Sequence, residues 1–454
     1  MLTQDYKSIC LWGIPRSGST FVFYNLTEHA MQDSWNANFN TTFNEFKKGS
    51  EPFRGDVEKK LQEFEQEEYW FAKLLSTDLL NLKNANLLDR FLQLPDYNIL
   101  ILRNDIFQSV ISLCIATIKN QWTNDQDDKV ISIPVDLFKS MLAEQQSYIK
   151  LFDDMKFDSI LYTEDLTEDF SDTWKYLTGE KLESNLENKI FKSPDKSKVV
   201  KNYNELYEIY TKTMNDSYCV LAEHGVHVDI MGNVKMCCDQ NNIDLTVHDT
   251  TIEQSYCSTR FDKIRYDLRN GIRNKACDTC WNLEDKRLSS SRTRMNAGNP
   301  NLGSYDGAIR FWDIRDNNLC NMSCRICGSQ SSSLWNHEAH VHKDKFKSEY
   351  FMYAQGNNPV IGWSADTESL FNKQLDNCHS VYFAGGEPLI NDTHWKILQT
   401  LYDNKKWNVH VRYNTNLIQV VGGKDRWLGT STDTENKDNP AGSLGTIGLM
   451  KPRI

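Results

Sequence analysis

The run Asp316-Asn317-Asn318-Leu319-Cys320-Asn321-Met322-Ser323-Cys324-Arg325-Ile326-Cys327-Gly328-Ser329-Gln330 decides how this chain is read. Its three cysteines are spaced CxxxCxxC within one loop. Thiolates held that close can ligate three irons of a [4Fe–4S] cube and leave the fourth iron free for a small molecule. A structural zinc would want a fourth ligand nearby and usually two CxxC pairs. A strand-like run, Ala308–Ile314, precedes the loop, and a Ser-rich helix start, Ser331–Ser333, follows it. Further along, Val381-Tyr382-Phe383-Ala384 runs as a second strand into the turn Gly385-Gly386-Glu387-Pro388.

The cysteine loop and the GGEP turn together resemble the radical S-adenosylmethionine (SAM) enzymes. The resemblance implies that Cys320, Cys324 and Cys327 bind the cluster and that Gly385, Gly386, Glu387 and Pro388 contact the amino group of SAM. Ile326 stands where the family usually has an aromatic residue. Next come a helix-like run, His394–Tyr402, and a third strand, Trp407–Tyr413, ending in Asn414-Thr415-Asn416-Leu417. Such a turn often lies near SAM in the family, which adds Asn416 as a cofactor contact. These strand–helix units are fewer than the family's barrel contains, so the chain alone is expected to leave the SAM pocket incomplete. Residues 421–454 are polar, rich in Gly, Thr, Asp and Asn and aperiodic, and are expected to be disordered. His337, His340 and His342 read as a solvated helix face.

The 454 residues suggest two or three domains, and 39% apolar residues with 12 Trp permit sizeable cores. The net charge of −11 argues against a nucleic-acid partner. No run approaches a membrane span, and Met1-Leu2-Thr3-Gln4-Asp5 opens no signal peptide, so the expected location is the cytoplasm, off the membrane. There, Cys237, Cys238, Cys277, Cys280, Cys320, Cys324 and Cys327 read as metal ligands more than disulfides.

Near the N-terminus, the apolar strand Ser8–Trp12 leads into Gly13-Ile14-Pro15-Arg16-Ser17-Gly18-Ser19-Thr20 and a helical run. Strand, glycine loop and helix aim backbone N–H groups at a phosphate. The spacing is that of a P-loop, except that Ser19 replaces the lysine. That discounts ATPase and GTPase chemistry. With Arg16 as the cation, the loop resembles that of sulfotransferases, which use 3′-phosphoadenosine-5′-phosphosulfate (PAPS). Supporting segments follow in order. Tyr97–Leu102 is a buried-strand pattern ending in Arg103; Ser112, with Ser109 as alternative, follows on a helix-like run. Asp158–Leu166 and Lys201-Asn202-Tyr203 resemble later family segments, so the likeness spans residues 8–210. It implies that Arg16, Ser17, Gly18, Ser19 and Thr20 hold the phosphosulfate and that Arg103 and Ser112 hold the 3′-phosphate. Sulfuryl transfer needs cations and a base. Arg16 is the catalytic cation; Glu45 is the favoured base, and His29 reads as a surface histidine.

Between these regions, Val226–Ile230 and Val234–Cys238 flank the turn Met231-Gly232-Asn233, a hairpin signal. Arg260–Arg269 is an amphipathic stretch, and Cys277-Asp278-Thr279-Cys280 follows it. The pattern resembles the SPASM and twitch auxiliary-cluster modules of radical SAM enzymes. That implies a second [4Fe–4S] cluster on Cys219, Cys237, Cys277 and Cys280, with Cys257 left over. On chemistry alone a four-cysteine zinc site serves equally well.

The expected fold class is α/β and multidomain. It comprises a P-loop sulfotransferase-like parallel sheet (1–213), a small α+β cluster-binding module (214–304), an incomplete (βα) radical SAM barrel (305–420) and a tail (421–454). The resemblances imply reductive cleavage of SAM and sulfuryl transfer from PAPS. The substrate would be a small molecule, peptide or glycan, and an electron donor such as flavodoxin or ferredoxin would be the partner. Competing readings are a sulfotransferase whose C-terminal half is a degenerate scaffold stabilised by zinc or a cluster, and a binding protein without catalysis.

Overall fold

Four short runs in the first half of the chain are apolar almost throughout, which suits strands buried on both faces. In the computed structural model they are β1 (Ser8–Gly13), β2 (Trp70–Leu75), β3 (Tyr97–Leu102) and β4 (Ser159–Tyr162). The structure describes residues 6–15, 23, 53, 55–104, 106–120, 130–166, 173, 175–177, 195–315, 317–325, 327–329, 331–342, 364–416 and 446–447. All four strands are parallel, in the order β2-β1-β3-β4. On one face Ile9, Leu11, Phe71, Ile99 and Ile101 form a buried cluster; Cys10, Trp12, Leu100 and Leu102 point to the other. That second face is covered by apolar sides of the helices Ile106–Lys119 and Val135–Lys150.

The chain divides into two compact units. The first is Met1–Tyr218 with Asp262–Asn274; the second is Cys219–Phe261 with Lys275–Ile454. The boundary therefore lies at 218/219, not 213/214, and the amphipathic stretch after residue 260 is split. Its part from Asp262 onward belongs to the first unit and packs there. Tyr266 stacks on Tyr162 with ring centroids 5.9 Å apart, and Asn270 Oδ1 accepts from the Ile106 N–H at 3.2 Å. Lys263 is buried between two carboxylates, 2.6 Å from Asp153 and 2.7 Å from Asp267. Asn274 Nδ2 donates to Asp267 at 2.6 Å. Burial pushes Asp267 up to about 7, although Lys263 pulls the other way.

The second unit holds a six-stranded mixed sheet, in the order β10-β9-β8-β7-β5-β6. Its strands are β5 (Gly225–Val228), β6 (Val234–Lys235), β7 (Phe311–Ile314), β8 (Ser380–Phe383), β9 (His410–Tyr413) and β10 (Thr446–Ile447). The four inner strands are parallel, and β6 and β10 lie antiparallel at the edges. Among the described residues the sheet keeps both edges and does not close on itself.

Two expectations are corrected here. The cysteine-bearing hairpin is not a separate module ending at 304, because β5 pairs in parallel with β7, Val226 opposite Trp312. The tail is not wholly without structure, since Thr446 and Ile447 pair with Arg412 and Val411 along the open edge of β9. Its other residues, 421–445 and 448–454, lie outside the described residues. The hairpin turn itself forms as expected. Asp229 Oδ1 accepts from the N–H groups of Met231 and Asn233, and Gly232 takes φ +84°, the left-handed region where a side chain is strained.

Lys263→Met would leave the Asp267 and Asp153 carboxylates facing each other with no cation. Removing one partner of a buried ion pair costs about 3–5 kcal/mol. Denaturant unfolding should show a loss of that size; a loss below about 1 kcal/mol would mean that solvent already screens this cluster.

Candidate functional site

The parallel strands β7, β8 and β9 send their C-terminal ends to the same edge of the sheet. From those ends come the cysteine loop, the GGEP turn and Asn416. Gly386 is the hinge of this arrangement, with φ +60°, and a Cβ built there would stand 2.3 Å from the Leu319 carbonyl oxygen. Gly385 has φ +80°, and its Cβ would stand 2.9 Å from Arg315 Cβ. Only residues without a side chain let the turn lie this close to the backbone that precedes Cys320.

Glu387 follows, 1% exposed. Its N–H donates to the Leu319 carbonyl at 2.7 Å. Its carboxylate accepts from Thr415 Oγ1 at 2.5 Å, the Asn416 N–H at 2.7 Å and the Leu389 N–H at 3.1 Å. Pro388 then opens a short 3-10 turn, Pro388–Ile390, where its missing N–H is no loss. Asn416 Nδ2 lies 3.8 Å from Cys320 Sγ and donates to Asn321 Oδ1 at 2.8 Å.

The cysteine loop is also pinned by the helix Ser333–Val341. Ser332 caps that helix by accepting from the Trp335 N–H, and its hydroxyl donates to the Met322 carbonyl at 2.6 Å. Ser333 Oγ accepts from the Cys320 N–H at 3.0 Å, and Trp335 Nε1 donates to the Cys324 carbonyl at 2.7 Å. Cys320, Cys324 and Cys327 are each partly exposed. Burial raises the Cys327 thiol, and Cys324 and Cys320 add to the rise. His337, His340 and His342 are exposed on and just after the helix.

The second cysteine set gathers at the other edge of the sheet. Cys219 precedes the short helix Val220–His224 that leads into β5, and Cys237 lies just past β6. The Asn241 N–H donates to the Ala276 carbonyl at 2.8 Å and Asn241 Nδ2 to the Lys275 carbonyl at 3.0 Å, which ties the Cys237 turn to the CxxC segment. Burial pushes Cys237 well above an ordinary thiol, with Cys219 and Cys277 adding to the rise. Burial also pushes Cys219 up to about 11; Cys280 raises it further, while the Ala222 and Leu221 N–H groups and Arg292 oppose. Arg292 sits over Trp281 at 4.8 Å and pairs with Glu284. Cys257 stands apart, 3.7 Å from the Tyr305 hydroxyl. Among the described residues, no three His, Cys, Asp or Glu side chains converge on a point as a single metal ion would require. The thiolates of a cube bind different irons and stand farther apart than the ligands of one ion.

In the first unit, Gly13 pairs with Ile101, so the start of the glycine loop and Arg103 leave adjacent strand ends. The order β2-β1-β3-β4 puts a topological switch point there, where open α/β sheets bind ligands. Arg103 lies 3.9 Å from Glu164, whose carboxylate also accepts from the Asn104 N–H at 2.8 Å. Ser112 is half-buried on the helix Ile106–Lys119, and Ser109 is fully buried. Gln108 Nε2 donates to the hydroxyl of Tyr203, in the later family-like segment Lys201-Asn202-Tyr203, at 2.7 Å. Arg16, Ser17, Gly18, Ser19, Thr20, His29 and Glu45 lie outside the described residues.

Several residues of interest escaped the sequence reading. Lys73 on β2 is 2% exposed, and burial lowers it to about 7 against the pull of Asp78. Thr415 and Asn321 complete the first cysteine site. Asp313, Tyr382 and Arg412 line a cavity on the β7–β9 face. A lysine or a charged residue inside an otherwise apolar strand was the available signal in each strand case. No family model matches the chain, and neither a curated protein nor a solved structure matches it.

Gly386→Ala should destabilise the second unit by about 1–3 kcal/mol, combining a left-handed backbone with a clash against Leu319. Gly303→Ala, where a Cβ meets nothing within 4 Å, should stay within about 0.5 kcal/mol. Equal thermal shifts for the two would contradict the close approach.

Proposed function

We propose that the second unit is a radical SAM domain, with one [4Fe–4S] cluster on Cys320, Cys324 and Cys327 and an auxiliary cluster on Cys219, Cys237, Cys277 and Cys280. The observation that carries this reading is the junction of three strand ends. Glu387 bonds the backbone beside Cys320 and the turn containing Asn416, and Asn416 reaches Cys320. Three thiols, two of which act on the third, with no fourth cysteine in the same loop of the sequence, suit a cube with one iron left for SAM. Bound there, the cluster would supply the electron that cleaves SAM, a chemistry that belongs to the cofactor and not to the protein.

The chain's part is positioning. Gly386 lets the turn lie against the cysteine loop. The Glu387 carboxylate is spent inside the protein, so an amino group of SAM would meet the backbone of Gly385 and Gly386 rather than this side chain. Asn416 directs an amide N–H toward Cys320. Buried, raised thiols must lose protons to bind metal, so cluster assembly at Cys219 and Cys237 would release protons. A flavodoxin or ferredoxin would be the electron donor, and the substrate a small molecule, peptide or glycan.

The test is anaerobic reconstitution with iron and sulfide analysis, followed by reductive incubation with SAM. About eight irons per chain are expected, falling to about four in Cys320→Ala/Cys324→Ala/Cys327→Ala and also in Cys277→Ser/Cys280→Ser. 5′-Deoxyadenosine should form with the native chain and not with Cys320→Ala. Its absence when both clusters are built would overturn SAM cleavage by this chain. Zinc without iron would favour a sulfotransferase whose C-terminal half is a scaffold.

A second reading concerns the first unit, which we propose binds PAPS for sulfuryl transfer. It is favoured by Arg103 leaving the sheet at the switch point beside the end of β1. There a guanidinium can grip the 3′-phosphate once it exchanges Glu164 for the ligand. Calorimetry with adenosine 3′,5′-bisphosphate, the desulfated product, should show binding that Arg103→Ala weakens about 10–100-fold. Unchanged affinity in Arg103→Ala would remove this residue from the site.

A further inference from the structure

One face of the second unit's sheet borders a cavity of about 640 Å³, bounded at one end by Cys237. The other face is closed: Trp312 packs on Phe371, and Phe383 and Tyr413 pack on His394. Side chains alternate along a strand, so Phe311, Asp313, Tyr382 and Arg412 face the cavity. The helix Ser291–Gly298 supplies the opposite wall through Arg294 and Met295. The volume falls within the range of small-molecule sites, which are mostly apolar with a few placed polar groups.

The charges in this cavity do not balance internally. Asp313 has its own partners, His227 at 2.9 Å and Arg315 at 3.2 Å; burial pushes its carboxyl up, but these two neighbours outweigh it and hold it below the usual range. Asp239, beside Cys238, accepts from the Ser291 hydroxyl. Arg412, half-buried, has the Met295 thioether at 3.9 Å from each terminal nitrogen and lies near Tyr382, whose hydroxyl burial pushes up and this guanidinium pulls down. Arg294 donates to the Ser289 carbonyl and the Ser291 hydroxyl, both neutral, at 3.1 Å. Among the described residues neither guanidinium has a carboxylate partner. A guanidinium in a partly apolar cavity is best satisfied by a planar or tetrahedral anion.

We propose that this cavity binds a small organic anion, its charged head at Arg412 and Arg294 and its apolar body along Phe311, Leu221 and Met295. The proposal does not depend on SAM chemistry, because none of the side chains named for the anion is a proposed iron ligand; Cys237, which is one, lies at the end of the cavity.

Fluorescence titration of the full chain tests it, with 8-anilinonaphthalene-1-sulfonate as an aromatic anion and N-phenyl-1-naphthylamine as its uncharged analogue. Arg412→Gln should weaken the sulfonate about 10–100-fold and the uncharged analogue less than about threefold. Arg412→Lys should recover part of the sulfonate affinity, and Arg294→Gln, on an exposed side chain, should weaken the sulfonate by a smaller factor. Sulfonate affinity unchanged by both glutamine variants overturns the proposal. Equal weakening of both probes overturns it as well, since loss of a charge cannot weaken an uncharged ligand equally.

Discussion

The second unit depends on one buried carboxylate. Glu387 is out of water, and an ionised group there is tolerated only where donors replace its hydration. Among the described residues it finds neutral donors: the Leu389 N–H in its own turn, and Thr415 and Asn416 from the end of β9. Its backbone N–H meanwhile holds Leu319, next to the first cysteine of the loop. Three loops from three strands are thus fastened at a single residue. The fastening requires Gly386, because any Cβ there would collide with the Leu319 carbonyl. The charge that holds the loops and the absent side chain that lets them meet are two parts of one constraint.

The first unit meets a similar difficulty in its own core. The segment Asp262–Asn274 brings Lys263, Asp267, Tyr266 and Asn270 into that unit, all nearly or fully buried. The buried Tyr266 hydroxyl has no hydrogen-bonding partner among the described residues, whereas Lys263, Asp267 and Asn270 each find partners there. Asn270 shows this well: its side-chain oxygen accepts from the Ile106 N–H and the Tyr210 hydroxyl, and its amide nitrogen donates to the Tyr266 carbonyl. The Ile106 N–H is one of the groups that a helix start leaves without an internal partner. A residue distant in sequence therefore finishes the helix that follows Arg103.

How much of this could be read in advance differs by the range of the interaction. The hairpin at Gly232 was legible because an alternating pattern, a glycine and Asp229 all act within a few residues. The pairing of β5 with β7 was not, since Val226 and Trp312 meet across most of the intervening chain and nothing local to either encodes its neighbour. The same holds for Thr446 and Ile447, too short a run to stand out until the edge of β9 supplies hydrogen-bond partners. The pattern from Arg260 to Arg269 correctly indicated a helix, but amphipathicity tells which side is buried and not against what. At the candidate site, the cysteine spacings and the GGEP turn were visible as motifs. Thr415, which fixes Glu387, and Arg412, which faces the cavity, were single residues in segments read for their strand character.

Strand direction sets where the two cysteine groups stand. Cys320, Cys324 and Cys327 follow β7 and so lie at the C-terminal edge of the parallel strands. Cys219 precedes β5. The antiparallel return of β6 brings Met236 back to the N-terminal end of β5, where its carbonyl would lie 2.5 Å from a Cβ on Gly225. Cys237, the next residue, is therefore at the opposite edge from Cys320. The inner strands are four residues long, which separates the two edges by about 13 Å at 3.3 Å per residue. The cavity on the sheet face is bounded by Cys237 at one end and runs past Phe311 and Ser380 to Asp313, Tyr382 and Arg412. A molecule held there touches the wall that contains one cysteine group and points along the strands toward the loop that contains the other. The parallel sheet separates the two groups and at the same time gives them a common floor.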